Sequence, residues 1–382
     1  MGTGAVGALV SRFHFDETSE AFKILTLLFF FLNLLFFAAI CAATVARYYI
    51  FPELWQAMLR DPTQSLFIGT FPMGASTLIN VAVTINQDYS FGGSGFLYTL
   101  WVFWWLDCAL SMFIAVGMIF VMYLCRSLPV PCILTVTGTR ITEQHHSLSQ
   151  MSALWLLPMV TVIVASSSGG LLATALAHHA SCAALTTAVS FSLLLMGLSL
   201  AIMIITMYLM RLVVHGPLHT SLIFSSFIIL GPLGQGGFSM LVNAQNFTRI
   251  PFPASLSAVT IQTLCFCAAW VLWSMALMWL CIALCSTWSV LRRQSVPFSI
   301  AYWGTIFPNG VFALLTVELG EILDSPTLNY LGAIFSMSVF LLWLFVLTKT
   351  IPAIWNTSIF HCPCAFDLDE QTLSASEGHA DA

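Results

Sequence analysis

The amino-acid sequence predicts an all-α integral membrane protein with ten transmembrane helices. Hydrophobic residues make up 59% of the 382 residues and charged residues only 7%, whereas a soluble domain carries about 25% charged residues. Apolar runs of about 18 residues or more, which is enough to cross a bilayer, recur along the chain. We therefore expect one ten-helix transmembrane domain over residues 1–350 and a disordered cytoplasmic tail over residues 351–382.

The apolar runs place the ten helices in order. The predicted spans are 1–13, 21–46, 64–86, 96–125, 150–177, 182–210, 218–243, 255–287, 297–319 and 326–350. Between the second and third spans, Pro52 opens and Asp61 ends a segment that we predict to be a short helix at the membrane interface. We expect the first span to be truncated, because thirteen helical residues reach only about 20 Å across a hydrocarbon core of about 30 Å.

The basic residues predict the orientation of the chain. Eight of them fall in the even-numbered connections or at the end of the last span: Arg47, Arg60, Arg126, Arg140, Arg211, Arg292, Arg293 and Lys349. Only Arg12, Lys23 and Arg249 fall on the other side. Because cytoplasmic loops carry the excess of lysine and arginine, both termini are expected in the cytoplasm. The sequon at Asn246 then lies outside the cell, which makes Asn246 a candidate for glycosylation.

Prolines mark a repeat of two helices. The third, fifth, seventh and ninth spans each contain a proline, and these are separated by 86, 74 and 76 residues: Pro72, Pro158, Pro232 and Pro308. The even-numbered spans are mostly longer and smoother. Irregular backbone in a bilayer is tolerated only against protein or a water-filled cavity, so five helical hairpins with irregular inner helices would enclose a central pore. For any single span, simple kinking and packing is the alternative.

The chemistry of such a pore favours an anion held weakly. No lysine or arginine lies within the third, fifth, seventh or ninth span, so no fixed cation is expected to grip a permeant. Weak binding suits conduction, since a permeant must also leave. Uncharged donors that can face an anion are Ser65, Thr70, Ser76, Thr77, Asn80, Ser166, Ser167 and Ser168.

Two acidic residues fall within the spans. Asp107 lies about 18 Å along the fourth span and therefore near mid-membrane. An intramembrane carboxylate is a functional candidate, and two roles stay open for it: a hydrogen bond between helices, or proton coupling. Glu318 lies near the outer end of the ninth span, where we expect it at the membrane interface.

Metal binding and catalysis are not expected. The two histidine pairs sit in consecutive connections and hence on opposite sides of the membrane: His145-His146 and His178-His179. No further clustered histidine motif joins them, and no catalytic constellation is present. We therefore expect no metal, no cofactor, no enzymatic activity and no nucleic-acid partner.

Several stretches resemble the tellurite-resistance/dicarboxylate transporter family of slow anion channel-like proteins. They are "MGTGAV", "RYYIFPELWQAMLRDPTQSLFIGTFPMGASTLIN", "LWVFWWLD" and "YWGTIFPNGVFALLT". The second stretch, residues 47–80, is most similar to the fungal sulfite efflux pumps of this family. The resemblance extends to about residue 355.

This resemblance implies a fold, a gate and a pathway. The family has five hairpins around a pore, often assembles as a homotrimer, and closes the pore with a phenylalanine whose matching position here is Phe307. Other positions carried over to the pathway are Gly4, Phe71, Pro72, Pro158, Pro232, Trp303 and Pro308. Family members usually have residues before the "MGTG" motif, which here begins at Met1, and this again implies a shortened first helix.

The expected function is export of sulfite through a central pore in the plasma membrane. Two alternatives stay open: a malate or C4-dicarboxylate transporter of the same fold, and a non-transporting membrane receptor or scaffold derived from the family. The expected partners are a small inorganic or organic anion, the lipid bilayer and further copies of the chain.

Overall fold

A computed structural model describes residues 1–12, 20–89, 91–127, 151–216, 220–247, 257–293 and 298–356. Within these ranges the regular elements are α-helices and short 3-10 segments. The α-helices are α1 (Gly2–Ser11), α2 (Glu20–Ile50), α3 (Pro52–Arg60), α4 (Thr70–Tyr89), α5 (Gly93–Ser127), α6 (Leu157–Ala175), α7 (Ala180–His215), α8 (Leu230–Asn246), α9 (Ala258–Leu291), α10 (Trp303–Ile322) and α11 (Pro326–Trp355). The 3-10 segments are Ser65–Gly69, Ala153–Leu156, Thr220–Ile229 and Ile300–Tyr302.

All ten predicted membrane helices are present. Nine helices of the described chain are long and apolar enough to cross a bilayer, and α1 is the short apolar tenth. The predicted interface helix is α3, which has Pro52 in its first turn. After α3, Asp61 Oδ1 accepts hydrogen bonds from the backbone N–H groups of Thr63 (2.7 Å) and Gln64 (2.9 Å). These bonds close the turn that leads the chain back into the membrane.

The last helix continues beyond the predicted end of the domain. α11 runs to Trp355, whereas the hydropathy pattern placed the end of the span at residue 350. The predicted tail beyond residue 356 lies outside the described residues, as does the pair His145-His146.

The helices form an inner ring and an outer layer. α1, α4, α6, α8 and α10 pack side by side in a closed ring, and α2, α5, α7, α9 and α11 lie outside it. In the most apolar stretch of each helix, 94% of residues are buried in α6 and α8, 67% in α10 and 61% in α4, against 17–39% in the long outer helices. The predicted alternation of inner and outer helices is therefore confirmed.

The five inner helices all run in the same direction. At the start of α1 and within α10, a Cβ on Gly2 would lie 3.2 Å from the Ile306 side chain. At the end of α1, Arg12 bonds to Glu318 near the end of α10. The other ring contacts keep the same register, as in Gly7 with Val81, Ser168 with Ser76, Thr174 with Asn246, and Gln245 with Glu318. The ring thus has an N-terminal end and a C-terminal end.

Glycine lies at each of the five contacts of the ring. A Cβ on Gly4 of α1 would stand 2.7 Å from Thr77 Oγ1 of α4. A Cβ on Gly234 of α8 would stand 2.8 Å from the backbone nitrogen of Phe312 in α10. Small residues let membrane helices approach closely. The remaining three contacts contain Gly69, Gly170 and Gly310.

The prolines stand where the backbone changes geometry. A 3-10 segment precedes each of α4, α6, α8 and α10. Pro72, Pro158 and Pro232 fall in the first turn of their α-helices, where the missing N–H has no helical partner in any case. Pro308 alone among these four lies inside its helix, where it cannot donate to the Gly304 carbonyl. The predicted irregularity is thus a 3-10 junction in three helices and an internal proline in α10.

Candidate functional site

The inner ring encloses a small cavity that all five of its helices line. The space open to the centres of water molecules is about 40 Å³, which holds about three waters. The lining residues are Gly4, Ala5, Ala8, Ser11, Arg12, Thr77, Asn80, Val81, Thr84, Val164, Leu171, Gln235, Phe238, Phe307, Val311 and Leu314.

Uncharged polar side chains of α4 form one wall of the cavity. Thr77, Asn80 and Thr84 recur at helical spacing and share a face. Thr77 Oγ1 donates a 2.8 Å hydrogen bond to the Gly74 carbonyl. The Oδ1 atom of Asn80 is buried and has no hydrogen-bond partner in the described part of the chain. This wall therefore presents polar groups that can contact a small ion or molecule in the cavity.

Two of the residues assigned to the pathway by resemblance lie on this cavity. Gly4 contributes to the α1 wall, and Phe307, which is 7% exposed, projects from α10. Phe307 directly precedes the internal Pro308. Its role as a gate stays a prediction.

The other residues carried over from the family lie elsewhere. Phe71 is 50% exposed and stacks on Phe37 of α2, with ring centroids 5.6 Å apart. Trp303 donates its indole N–H to Thr350 Oγ1 of α11 at 2.9 Å. The four prolines are buried but do not line the cavity: Pro72, Pro158, Pro232 and Pro308.

Most of the serines proposed as anion donors bond within the protein. Ser166 Oγ lies 2.8 Å from Ser239 Oγ, and Ser190 Oγ donates to Asn243 Oδ1 at 2.7 Å. This buried network joins α6, α7 and α8. Ser167 accepts a hydrogen bond from the cavity residue Gln235. Of the eight predicted donors, Thr77 and Asn80 line the cavity.

Asp107 lies between an inner and an outer helix. Its side chain is 6% exposed, and Oδ2 accepts a 2.5 Å hydrogen bond from Ser76 Oγ of α4. Oδ1 is buried without a hydrogen-bond partner in the described residues, as is Oγ of Ser111 one turn along α5. This geometry is that of a hydrogen bond between helices, one of the two predicted roles.

Arg12 and Glu318 form an ion pair between the ends of α1 and α10. Glu318 is 3% exposed, so it is buried within the protein, and its Oε2 accepts a hydrogen bond from Arg12 Nη1. Gln245 Nε2 donates to the other oxygen, Oε1, at 2.9 Å. The guanidinium carbon of Arg12 lies 5.1 Å from the ring centroid of Phe238. Arg12 lines the cavity, so a fixed cation does face it, although none lies within the third, fifth, seventh or ninth predicted span.

The spacing of residues along α1 indicates that Arg12 shares a helical face with other cavity residues. Gly4, Ala8, Ser11 and Arg12 are spaced at i, i+4, i+7 and i+8, so they share one helical face. The cavity residues Gln235 and Phe238, three residues apart on α8, were also missed.

Asn246 is not placed for glycosylation. Its side chain is 1% exposed, its Nδ2 donates to the Gly170 carbonyl at 2.9 Å, and its Oδ1 accepts from Thr174 at 3.1 Å. A glycan is attached to the amide nitrogen, which is here buried and hydrogen-bonded. The predicted modification is therefore not supported.

A ring of parallel, apolar helices around a small cavity with one polar wall is the architecture of a multi-pass membrane transport protein. Residues 1–351 match the family model described as SLAC1, voltage-dependent anion channel. The chain belongs to this family, as its motifs predicted. It is an anion transporter or channel and not an enzyme.

Similar proteins of described activity include fungal transporters. The sulfite efflux pump SSU1 of Trichophyton rubrum is 30% identical over 355 residues, which cover 92% of this chain and 88% of the pump. The sulfite efflux pump SSU1 of Candida albicans is 26% identical over 360 residues, covering 88% and 68%. The malic acid transport protein of Schizosaccharomyces pombe is 21% identical over 356 residues, covering 91% and 75%.

Proposed function

We propose that this protein exports sulfite across the plasma membrane through the cavity of its inner ring. The observation that carries the proposal is its 30% identity to a sulfite efflux pump over 92% of the chain. The cavity supports it, because Asn80, Gln235 and Arg12 offer N–H donors to a small oxyanion.

The direction of the inner helices favours an anion. Each helix carries a positive partial charge at its N-terminus, and the five inner helices begin at the same end of the ring. The positive-inside pattern predicts that this end faces the cytoplasm. An inside-negative potential then drives efflux by about 2.3 kcal/mol per charge for each 100 mV.

Sequence similarity favours sulfite over malate. The sulfite efflux pump of Trichophyton rubrum is 30% identical to this chain, against 21% for the malic acid transport protein of Schizosaccharomyces pombe. Malate stays the second candidate, because a malic acid transport protein matches 91% of the chain. We also propose that the protein assembles as a homotrimer, as the family resemblance implies, and that Phe307 gates the pore.

Sulfite efflux from yeast cells that lack their own sulfite pump tests this function. Expression of the chain is expected to raise efflux above the empty-vector control. Ala8→Phe, which fills the cavity, is expected to abolish this gain, and Ala43→Phe on the exposed face of α2 is the matched control. Malate transport without sulfite transport, at a normal surface level of protein, would refute the proposed substrate.

A further inference from the structure

Arg12 and Glu318 form an ion pair at the C-terminal end of the cavity. In the described residues, Arg12 is the only charged side chain that lines the cavity. Its side chain is 28% exposed, whereas that of Glu318 is 3% exposed. A buried carboxylate needs partners, and α1 and α8 supply them through Arg12 and Gln245. Glu318 is thus enclosed, and Arg12 keeps access to the cavity.

The guanidinium of Arg12 has donors to offer a second anion. It carries five N–H donors in a planar fork, and its bond to Glu318 is donated by Nη1. The ring of Phe238, which also lines the cavity, supports the guanidinium at 5.1 Å. An oxyanion arriving from the cavity can therefore bind Arg12 while Glu318 stays in place.

We propose that Arg12 binds the permeating anion and sets its chemical class, and that Glu318 weakens this binding so that the anion is released. This inference rests on the proposed function, because it requires an anion in the cavity. An uncompensated arginine in a low-dielectric site would hold an anion strongly, whereas conduction requires binding that is weak enough to leave. The negative charge of Glu318 and the negative partial charges at the C-terminal ends of the inner helices both repel the anion bound to Arg12 and so favour its release.

The class of anion follows from the shape of the guanidinium. Its fork binds two oxygens of one group in parallel, whereas a lysine ammonium acts as a point charge. A spherical halide cannot use both arms of the fork in this way. Arg12 therefore favours an oxyanion, such as sulfite or a carboxylate, over chloride.

Flux into liposomes that contain the purified full chain tests this assignment. Initial rates are measured against concentration for sulfite, malate and chloride. Arg12→Lys keeps the charge and is expected to lower the oxyanion-to-chloride ratio about tenfold, which corresponds to ~1.4 kcal/mol. Arg211→Lys is the matched control: this arginine donates to the Gly216 carbonyl at 2.6 Å, does not line the cavity, and is expected to leave the ratio unchanged.

Neutralising Arg12 and Glu318 one at a time distinguishes a role in anion binding from a purely structural role of the ion pair. Arg12→Gln is expected to raise the half-saturating oxyanion concentration about tenfold, and Glu318→Gln to lower it about tenfold. Glu318→Gln also lowers the maximal rate, because release becomes slower. A structural pair predicts instead that both variants impair transport in the same direction.

The possible outcomes distinguish this inference from the proposed function. An unchanged oxyanion-to-chloride ratio in Arg12→Lys, or a raised half-saturating concentration in Glu318→Gln, overturns the inference. If Glu318→Gln does not fold, the oxyanion-to-chloride ratio of Arg12→Lys is the deciding measurement. Wild-type protein that carries malate but not sulfite refutes the proposed substrate, and the ratio is then measured with malate. Wild-type protein that carries chloride and no oxyanion overturns both.

Discussion

Ser76 Oγ donates a 2.5 Å hydrogen bond to Asp107 Oδ2 and so joins the inner helix α4 to the outer helix α5. The second carboxylate oxygen is buried without a partner in the described residues. Ser76 therefore supplies the hydrogen bond that stabilises the buried Asp107 carboxylate.

Ser76→Ala is expected to lower the free energy of unfolding by about 1–3 kcal/mol, because the Asp107 carboxylate is left without its donor. In an Asp107→Leu background the same substitution should cost little, since no carboxylate is left to satisfy. Unfolding in detergent of the wild type, both single variants and the double variant measures this coupling. Equal effects of Ser76→Ala in both backgrounds would show that the bond does not matter.

Asp107→Asn separates the two roles proposed for the acid. The amide oxygen can still accept the hydrogen bond from Ser76, so a purely structural role predicts that transport persists. Liposome flux of the folded variant measures it. Loss of flux without loss of stability would instead assign Asp107 to proton coupling.

Phe307→Ala is expected to raise anion flux severalfold, because the side chain fills part of the cavity. Phe71→Ala removes the same ring from a residue that is 50% exposed and stacks on the outer helix, and it should leave the flux unchanged. Flux at equal surface expression compares the two. A larger gain in Phe71→Ala than in Phe307→Ala would place the constriction elsewhere.

Gly234→Ala is expected to destabilise the ring by about 1–3 kcal/mol, because the new methyl group overlaps the backbone of α10. Gly231, one turn earlier on α8, has no atom within 4 Å of the equivalent position. Gly231→Ala is therefore the control, and it should be neutral or stabilising by up to about 1 kcal/mol through helix propensity. Thermal unfolding of the two variants measures the difference, and similar losses in both would contradict the close contact.

Endoglycosidase treatment of the protein from a eukaryotic host tests the burial of Asn246. No shift in mobility that depends on Asn246 is expected, because the amide nitrogen is hydrogen-bonded to Gly170. Asn246→Gln supplies the comparison. A glycan that disappears in this variant would require a different arrangement of the end of α8.

The number and order of the helices could be predicted from hydropathy, and their layering from the repeated prolines. Apolar runs mark membrane helices because the bilayer penalises unpaired backbone groups. The ends were less accurate: α7 was expected over residues 182–210 and runs Ala180–His215. It continues because helical hydrogen bonding outlasts the apolar run, and it ends before Gly216, whose positive φ of 75° suits glycine.

The cavity residues could be predicted only in part. Composition identified the small and polar residues of the inner helices, but not which face each of them occupies. Ser166 bonds to α8, whereas Thr77 and Asn80 face the cavity. Arg12 lies at the end of the first predicted span, residues 1–13, and hydropathy does not show which way its side chain faces. Its pairing with Glu318, which lies 306 positions away in the chain, has no local signature.

The common direction of the five inner helices has an electrical consequence. A pathway whose helices pointed alternately up and down would present the same average field to an ion from either side. Here the field changes sign from one mouth to the other, so the energy profile for an anion is asymmetric, and voltages of opposite sign change its highest barrier by different amounts. When all copies of the protein have the same orientation in the membrane, the current measured under voltage clamp should rectify. It should be larger at one sign of the voltage than at the other, even with identical solutions on both sides.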